Sequence, residues 1–599
     1  MKRLLLLICI FFSPVFAQRT YIPSSDYLRT PSLAINYVDS CAKFWTNVYD
    51  PALGGYWTNV DSMGHVITAW GTNKNMMSQT RDAYGFTRAF QLTGNATYLV
   101  YARRALDFMY KSAWDKTNGG WMDNISKNGT PNSPGEIKTA YNQHYAMLGI
   151  TAYYEATRDT ADFRRLMESY AWNEAKLWDA RPDKFGYYDS VLANGTLPWD
   201  KSFNGTVDAI TTHLLHLYLL TGDTLYYRRM TQVADNMLNH LTASVDQQAI
   251  GFCEKYDSDW NPRSNTQDVR MTIMGHVLKT AWCFARLYEF DPRPEYLAAA
   301  EKLVGVVWNK GYDHQNGGPY KDYDRTTGSM LMWGKTDTAK AWWQMEQAVT
   351  SGLFLYEITG KNMYLQMADE TLLFFMKYFV DHTYGEVYEN RTKYGLQIWD
   401  TDKGSSGKAG YHSTELGYYV YLYGNLLLNK TPATLFYSIA PSTQERRLGL
   451  NPISCPPKSI CIASVRLNDT LYTNFDPLAR TLTVPAGVGG VFAVTYQPVD
   501  VNDVLAKVNS IPVSALTARN YPNPFNGETQ IHFSIPEVGP VSLIVYDILG
   551  REVSSLIHEE MNPGEYTIHW NAATQVSGIY FSVLRTTTHA TTNRMVIIR

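Results

Sequence analysis

Six side chains in the middle of this sequence recur at matching depths and could do chemistry together: Arg81, His144, His213, His276, Trp343 and His412. Counted from the glycine of a recurring Gly-aromatic turn, they lie 26, 24, 27, 25, 25 and 27 residues on. The chain holds 13 histidines, so four at equivalent depths are more than composition would supply. An unperturbed imidazole, with a pKa of about 6.5, accepts or donates a proton near neutrality. A ring of convergent polar and aromatic groups is the default active-site candidate if the fold turns it inward. A lone histidine on a buried helix is more often structural, and His144 reads that way.

The elements that must position these residues follow from the same repeat. Its turn appears as Gly54-Gly55-Tyr56-Trp57, Gly119-Gly120-Trp121, Phe185-Gly186-Tyr187-Tyr188, Gly251-Phe252, Gly317-Gly318-Pro319-Tyr320 and Tyr384-Gly385-Glu386-Val387-Tyr388. Glycines 55, 120, 186, 251, 318 and 385 are spaced by 65, 66, 65, 67 and 67 residues. A fixed period over six copies marks a repeat architecture. Asp50, Asp115, Asp183, Asp313 and Asp381 stand upstream of five turns, and Asp246 is expected to serve the sixth. Between the turns the pattern is helical, as where Leu99, Ala102, Leu106 and Met109 share one face. Helix stop–start marks such as Leu92-Thr93-Gly94-Asn95 and Leu220-Thr221-Gly222-Asp223 split each repeat into two helices. Twelve helices in six pairs, with no obvious capping repeat, predict a closed all-α (α/α)6 barrel over 25–432 rather than an open solenoid. If the hairpins gather at one mouth of the barrel, the helix that follows each of them would be the inner one, pointing its first turns at a shared cavity.

The flanks differ. Lys2 and Arg3, the apolar run from Leu4 to Phe12, and Val15-Phe16-Ala17 read as a signal peptide over 1–17. No other stretch is long and apolar enough for a transmembrane helix. From 433 to 510 the alternation in Arg480-Thr481-Leu482-Thr483-Val484 and Gly490-Val491-Phe492-Ala493-Val494 predicts a small β-rich accessory domain or spacer. From 515 to 599 alternating runs between turns predict a second small all-β, immunoglobulin-like sandwich.

Composition sets outer limits. Apolar residues are 45% and charged residues 18%, as in a globular chain. The net charge of −3 carries no basic footprint, so nucleic acid is not an expected partner. Aromatics reach 14%, which fits sugar stacking or, equally, a large core. Five cysteines would remain after signal removal: Cys455 and Cys461 are close enough for a loop-closing bridge, and Cys41, Cys253 and Cys283 read as buried thiols. No paired CxxC or HExxH spacing occurs, so no metal site and no cofactor is expected.

Several inner-helix motifs resemble the N-acylglucosamine 2-epimerase family, which includes cellobiose 2-epimerases and aldose–ketose isomerases. They are Gln79-Thr80-Arg81, Thr212-His213-Leu214-Leu215, Gly275-His276, Lys340-Ala341-Trp342-Trp343-Gln344-Met345-Glu346 and Lys408-Ala409-Gly410-Tyr411-His412. The resemblance implies an enzyme that uses His276 and His412 as a catalytic pair. One removes the proton alpha to an open-chain aldehyde, and the other returns a proton through an enediolate. It further implies that Arg81 and His213 serve the enediolate oxygens, that Trp342 and Trp343 stack on sugar rings, and that Glu346 bonds hydroxyls or orients a histidine. Adjacent helical positions point apart, so only one of the two tryptophans is expected at the cavity. YPNPFN, VYDILGREV and GIYFSVL near the C-terminus resemble the sorting domain of type IX secretion substrates. That resemblance implies an exported protein, secreted or on the cell surface, with the export machinery as a partner.

Three positions depart from the family pattern. Lys279 stands where an acid is usual three residues after the Gly-His pair, Glu415 where an arginine is usual three residues after the last histidine, and His216 where an acid follows the His-Leu motif. Lys279 and Glu415 are expected to pair with each other. Two further readings stay open: a glycoside hydrolase of the same barrel class, and a saccharide-binding protein without chemistry. Hydrolysis would need two carboxylates across the cavity, drawn from Asp208, Glu254, Asp257, Asp337, Glu346, Glu386 and Glu415.

Overall fold

The computed structural model describes residues 21–331, 339–399, 401–452, 459–499, 516–561 and 563–598. The signal peptide expected over 1–17, Asp337 and Cys455 lie outside these residues, and with Cys455 so does the expected bridge. Among the described residues the chain forms two compact units, one ending at Pro498 and one beginning at Val499.

The first unit is built on a closed (α/α)6 barrel. The outer helices are Leu33–Thr46, Thr97–Ser112, Thr160–Lys176, Thr224–Asn236, Pro294–Val306 and Asn362–Phe374. The inner helices begin at Met76, Ala140, Phe203, Met274, Trp342 and Tyr411. Outer helices carry one apolar stripe, so Leu99, Ala102, Leu106 and Met109 are all buried. Inner helices have neighbours on all sides: every residue of Tyr411–Leu422 is buried. Turns between paired helices end on a left-handed residue, Gly94, Gly222 and Gly360, with Arg158 in the same role.

Closure is direct. The last inner helix packs on the first. Asp82 accepts the Gly410 N–H at 2.9 Å, and the loop at Val60 pairs with Gly404. A Cβ on Gly85 would stand 2.4 Å from the Gly410 carbonyl oxygen, so only glycine lets the two helices meet there.

A lysine the sequence reading did not single out explains five of the six turns. Lys74, Lys138, Lys201, Lys340 and Lys403 are buried, and each ammonium pairs with the aspartate of the preceding hairpin at 2.6, 2.7, 2.9, 3.0 and 2.7 Å. Each also donates to a carbonyl of the Gly-aromatic turn. The hairpin is thereby tied to the start of the next inner helix. The third hairpin corrects the sequence reading, since its aspartate is Asp179 and not Asp183. Among the described residues the fourth has no such pair. Thr272 Oγ1 takes the Phe252 N–H and Ser244 Oγ takes the Cys253 N–H, while Asp246 is an exposed partner of Lys302.

The described residues between 433 and 498 form two antiparallel sheets. The first orders its strands Ala433–Ile439, Gly490–Pro498, Ile460–Leu467 and Thr470–Tyr472. The second holds Arg446–Gly449, Thr481–Val484 and Phe475–Asp476. Leu435, Tyr437, Ile439 and Tyr496 belong to the same hydrophobic core as the barrel helices. Arg158 donates to Gly449 O at 2.6 Å, and Asn451 to Leu219 O at 3.1 Å. This sandwich is fused to the barrel wall and is not a separate spacer. The second unit is an antiparallel sandwich of a three-stranded and a four-stranded sheet around Ile531, Leu543, Trp570, Tyr580 and Met595. No described helix is long and apolar enough to cross a membrane.

Candidate active site

The hairpins gather around a cavity of about 210 Å³. Arg81, Tyr141, Tyr145, Asn204, Asp208, His276, Lys279, Lys321, Trp342, Trp343, Glu389 and His412 line it. Sites for drug-sized ligands begin near ~300 Å³, so this space suits one small ring whose remainder would extend through the mouth.

The two histidines are held alike. His276 Nδ1 lies 2.8 Å from Glu254 Oε2, and Glu254 Oε1 is fixed by the Ile273 N–H at 2.6 Å. Phe203 stacks on the ring with centroids 3.8 Å apart. His412 Nδ1 lies 3.3 Å from Glu346 Oε2 and 3.8 Å from Glu415 Oε2. In both rings the engaged Nδ1 sets the tautomer and leaves Nε2 for the cavity. Burial pushes the His412 imidazole well below its ordinary value, and Arg81, Lys279 and Lys408 push the same way. Burial also drives the Glu346 carboxyl well above the usual carboxylate range, with Glu415 adding to the rise. Glu346, His412 and Glu415 could together hold a metal ion, each offering an atom within 4.8 Å of the others. Glu346 itself is fully buried behind His412, accepts from the Thr350 hydroxyl at 2.7 Å and is not among the residues that line the cavity.

Lys340-Ala341-Trp342-Trp343-Gln344-Met345-Glu346 can be read position by position. Lys340 ties the helix start to Asp313. Ala341 is the extended N-cap residue. Both tryptophans line the cavity, against expectation, because they open the helix at a strand–helix junction where ideal helical phasing has not begun. Their ring centroids lie 6.1 and 6.0 Å from that of His412. Gln344 accepts the Gly275 N–H at 3.0 Å. Glycine at 275 is itself required, since a Cβ there would stand 2.5 Å from the Trp343 ring. Lys408 of the last motif pairs with fully buried Glu386 at 2.9 Å and anchors its helix in the same manner.

Arg81 reaches the cavity, donating to the Gly407 carbonyl and, at 2.7 Å, to the Tyr141 hydroxyl. Its Nε is buried without a partner. His213 does not reach the cavity. It is fully buried, stacked on His144 at 5.3 Å, and burial holds its imidazole well below the ordinary value. The residues of that helix that line the cavity are Asn204 and Asp208, and His213 is five residues further, about 140° round an ideal helix. A π-helical stretch, Ile210–Leu214, shifts the phase again. His144 is likewise inside the wall, against Gly205 O and Asn173, its pKa lowered to about 4 by burial.

The expected pairing of Lys279 with Glu415 does not form. Lys279 donates to Asp208 Oδ1 at 2.6 Å and to the Tyr145 hydroxyl at 3.1 Å. Glu415 accepts from Tyr84 and Tyr419, both at 2.9 Å. His216 lies 3.5 Å from Glu155, which also pairs with Arg88. Of the carboxylates weighed for hydrolysis that fall among the described residues, Asp208 alone lines the cavity, joined there by Glu389. Asp208 is neutralised by Lys279, and Glu254 is committed to His276.

Comparison with known proteins agrees with this architecture. A cellobiose 2-epimerase from Eubacterium cellulosolvens is 24% identical over 372 residues, covering 57% of this chain and 85% of that protein. One from Bacteroides fragilis is 21% identical over 385 residues, covering 62% and 93%. The solved cellobiose 2-epimerase of Spirochaeta thermophila superposes with a TM-score of 0.56 at 22% identity, covering 66% of this chain and 96% of that one. A solved D-mannose isomerase superposes with a TM-score of 0.58 at 19% identity, covering 67% and 99%. These likenesses share the barrel fold. Residues 519–598 match the secretion system C-terminal sorting domain, so the second unit is an export address for the cell surface or the exterior. Residues 55–415, more than half of the chain and including both histidines, match N-acylglucosamine 2-epimerase, so the chain belongs to the N-acylglucosamine 2-epimerase family.

Proposed function

We propose that this chain is an exported sugar 2-epimerase or aldose–ketose isomerase that works on the reducing end of a saccharide. The observation that carries this reading is the pair of cavity-lining histidines, each with Nδ1 against a carboxylate. His412, kept neutral by burial and by surrounding cations, offers an Nε2 lone pair and takes the C2 proton. The electron pair moves into C1=C2 and charge collects on O1. His276, backed by Glu254, returns a proton at C2 on the opposite face to give the 2-epimer, or one is returned at C1 to give a ketose. The roles exchange for the reverse substrate. Arg81 supplies positive charge beside the intermediate, and Trp342 and Trp343 offer apolar faces to the ring. The family and the cellobiose 2-epimerase and mannose isomerase names among its relatives favour mono- and disaccharide aldoses.

Incubation with mannose, glucose, N-acetylmannosamine and cellobiose in heavy water tests the reading. Deuterium at C2 or C1, lost in His276→Ala and His412→Ala, is the expected result. New reducing ends from an oligosaccharide would instead establish a hydrolase, and saturable binding without exchange a saccharide-binding protein.

A further inference from the structure

Lys279 sits where the family pattern has an acid, and its surroundings give it more than a neutralising part. It lies on the same helix as His276, three residues on, and lines the cavity with both histidines. An ammonium carries three N–H donors. Two are spent, on Asp208 Oδ1 at 2.6 Å and on the Tyr145 hydroxyl at 3.1 Å. The third has no partner among the described residues. Asp208 is fixed in turn by Asn204, which donates to its other oxygen at 3.0 Å. The lysine is therefore held at three points, by its own backbone, by a carboxylate and by a phenol, and it cannot swing away.

Tyr145 links this cation to the second one. The Lys279 ammonium lies 5.3 Å from the Tyr145 ring centroid and the Arg81 guanidinium 5.0 Å from it. Arg81 in turn keeps a buried Nε–H without a partner. An unmatched donor on a buried cation costs free energy unless a ligand completes it. Two cations flanking one tyrosine, each with a donor left over, make a pre-formed anion-facing side to a cavity whose other side is tryptophan. Burial opposes the charge on Lys279, yet the adjacent Asp208 carboxylate holds its pKa above the ordinary lysine value, so it works as a charged donor and not as a base.

Resting on the epimerase or isomerase reading above, we propose that Lys279 is a catalytic residue of this chain, its third N–H donating to the enediolate oxygen that forms when C2 loses its proton. No covalent bond forms to the lysine. The C2 proton goes to His412 Nε2, the C–H electron pair becomes the C1=C2 bond, and the C1=O1 electron pair settles on O1, where the Lys279 N–H meets it. Reprotonation of C2 reverses that flow and restores the carbonyl. Placement of a fixed donor where charge develops is the arrangement that stabilises a transition state more than the ground state.

Two variants separate this role from simple neutralisation of Asp208. In Lys279→Met the carboxylate is left buried without its partner, so stability and activity both suffer. In the double variant Lys279→Met/Asp208→Asn both charges go and the Asn204 contact can persist. Turnover on whichever of mannose, glucose, N-acetylmannosamine or cellobiose exchanges deuterium with the wild type is then compared, with thermal melts to confirm folding. Loss of one oxyanion donor lowers kcat by about 10²–10³-fold. The expected result is a kcat loss of that order in the folded double variant, with KM changed by far less. A double variant that regains kcat to within about threefold of wild type would overturn the proposal and leave Lys279 a charge partner only. Absence of exchange in the wild type on all four sugars would overturn both this proposal and the reading it rests on.

Discussion

Gly275→Ala sets two physical arguments against each other. Within a helix, alanine is favoured over glycine by roughly 0.5–1 kcal/mol. Local propensity alone therefore predicts a slightly more stable protein. The packing predicts the reverse. An added Cβ would stand 2.5 Å from the edge of the Trp343 ring and 2.6 Å from Gln344 Cγ. Ordinary contact begins near 3.4 Å, so the indole and the glutamine must each retreat by almost 1 Å. Gln344 cannot move freely, because it holds the Gly275 N–H at 3.0 Å. Overpacking of this kind costs about 1–3 kcal/mol, which exceeds the propensity gain. The net expectation is a loss of about 1–2 kcal/mol in chemical denaturation. The activity consequence is larger. Trp343 would be displaced beside His276 and His412, and a misplacement of about 1 Å near reacting groups can cost on the order of 10²-fold in rate. Stability by denaturant titration and kcat/KM by deuterium exchange read the two effects separately. Addition of Trp343→Phe, a smaller ring, should restore stability without restoring kcat/KM. A Gly275→Ala protein as stable and as active as wild type would refute the steric reasoning.

Three other outcomes are expected. Glu254→Gln leaves the shape of the hairpin but no longer fixes the His276 tautomer, and kcat should fall by about 10²–10⁴-fold with folding intact, as read by exchange kinetics and a thermal melt. Lys340→Met leaves Asp313 as an uncompensated charge behind the fifth hairpin and should cost about 3–5 kcal/mol, measured by denaturant unfolding. His144 has a folded pKa of about 4 against about 6.5 when unfolded, so its burial stabilises the fold fully above pH 6.5 and that stability is lost as pH falls toward 4. Compared with His144→Asn, wild type should therefore lose up to about 3 kcal/mol across that window, and an unchanged difference between the two would show that His144 is not buried neutral.

The repeat was legible because its turns demand glycine. Gly55, Gly120, Gly251, Gly318 and Gly385 all adopt positive φ, so the residue type itself records the backbone. The lysines that brace those turns were not legible in the same way. They follow their glycines by intervals that vary with loop length, 19 at Lys74 and 22 at Lys340, so no fixed period reveals them. His276, His412, Arg81 and both tryptophans sit in or next to the first turn of their helices, where depth can be counted from the preceding hairpin. His213 was misjudged because its helix contains a π-helical stretch that counting cannot see. Glu254 was weighed only as a hydrolytic carboxylate, since it lies in the hairpin just before the strand Lys255–Tyr256 and nothing in the helical pattern points it at His276. Alternation from Gly490 to Val494 revealed a strand, but not that its buried residues Phe492 and Val494 share one core with the barrel helices.

Ring closure has a dynamic consequence. In an open helical array the end repeats have one neighbour and fray first, giving a gradient of protection from termini to centre. Here Gly85 against Gly410, and Asp82 on the Gly410 N–H, give the first and last inner helices neighbours on both sides. No repeat is terminal, and separating any one requires two interfaces to part together. Amide hydrogens of all six inner helices should then exchange with solvent at similar, slow rates. The cavity mouth, lined by hairpins, remains the place where local opening can admit a sugar without loosening the ring.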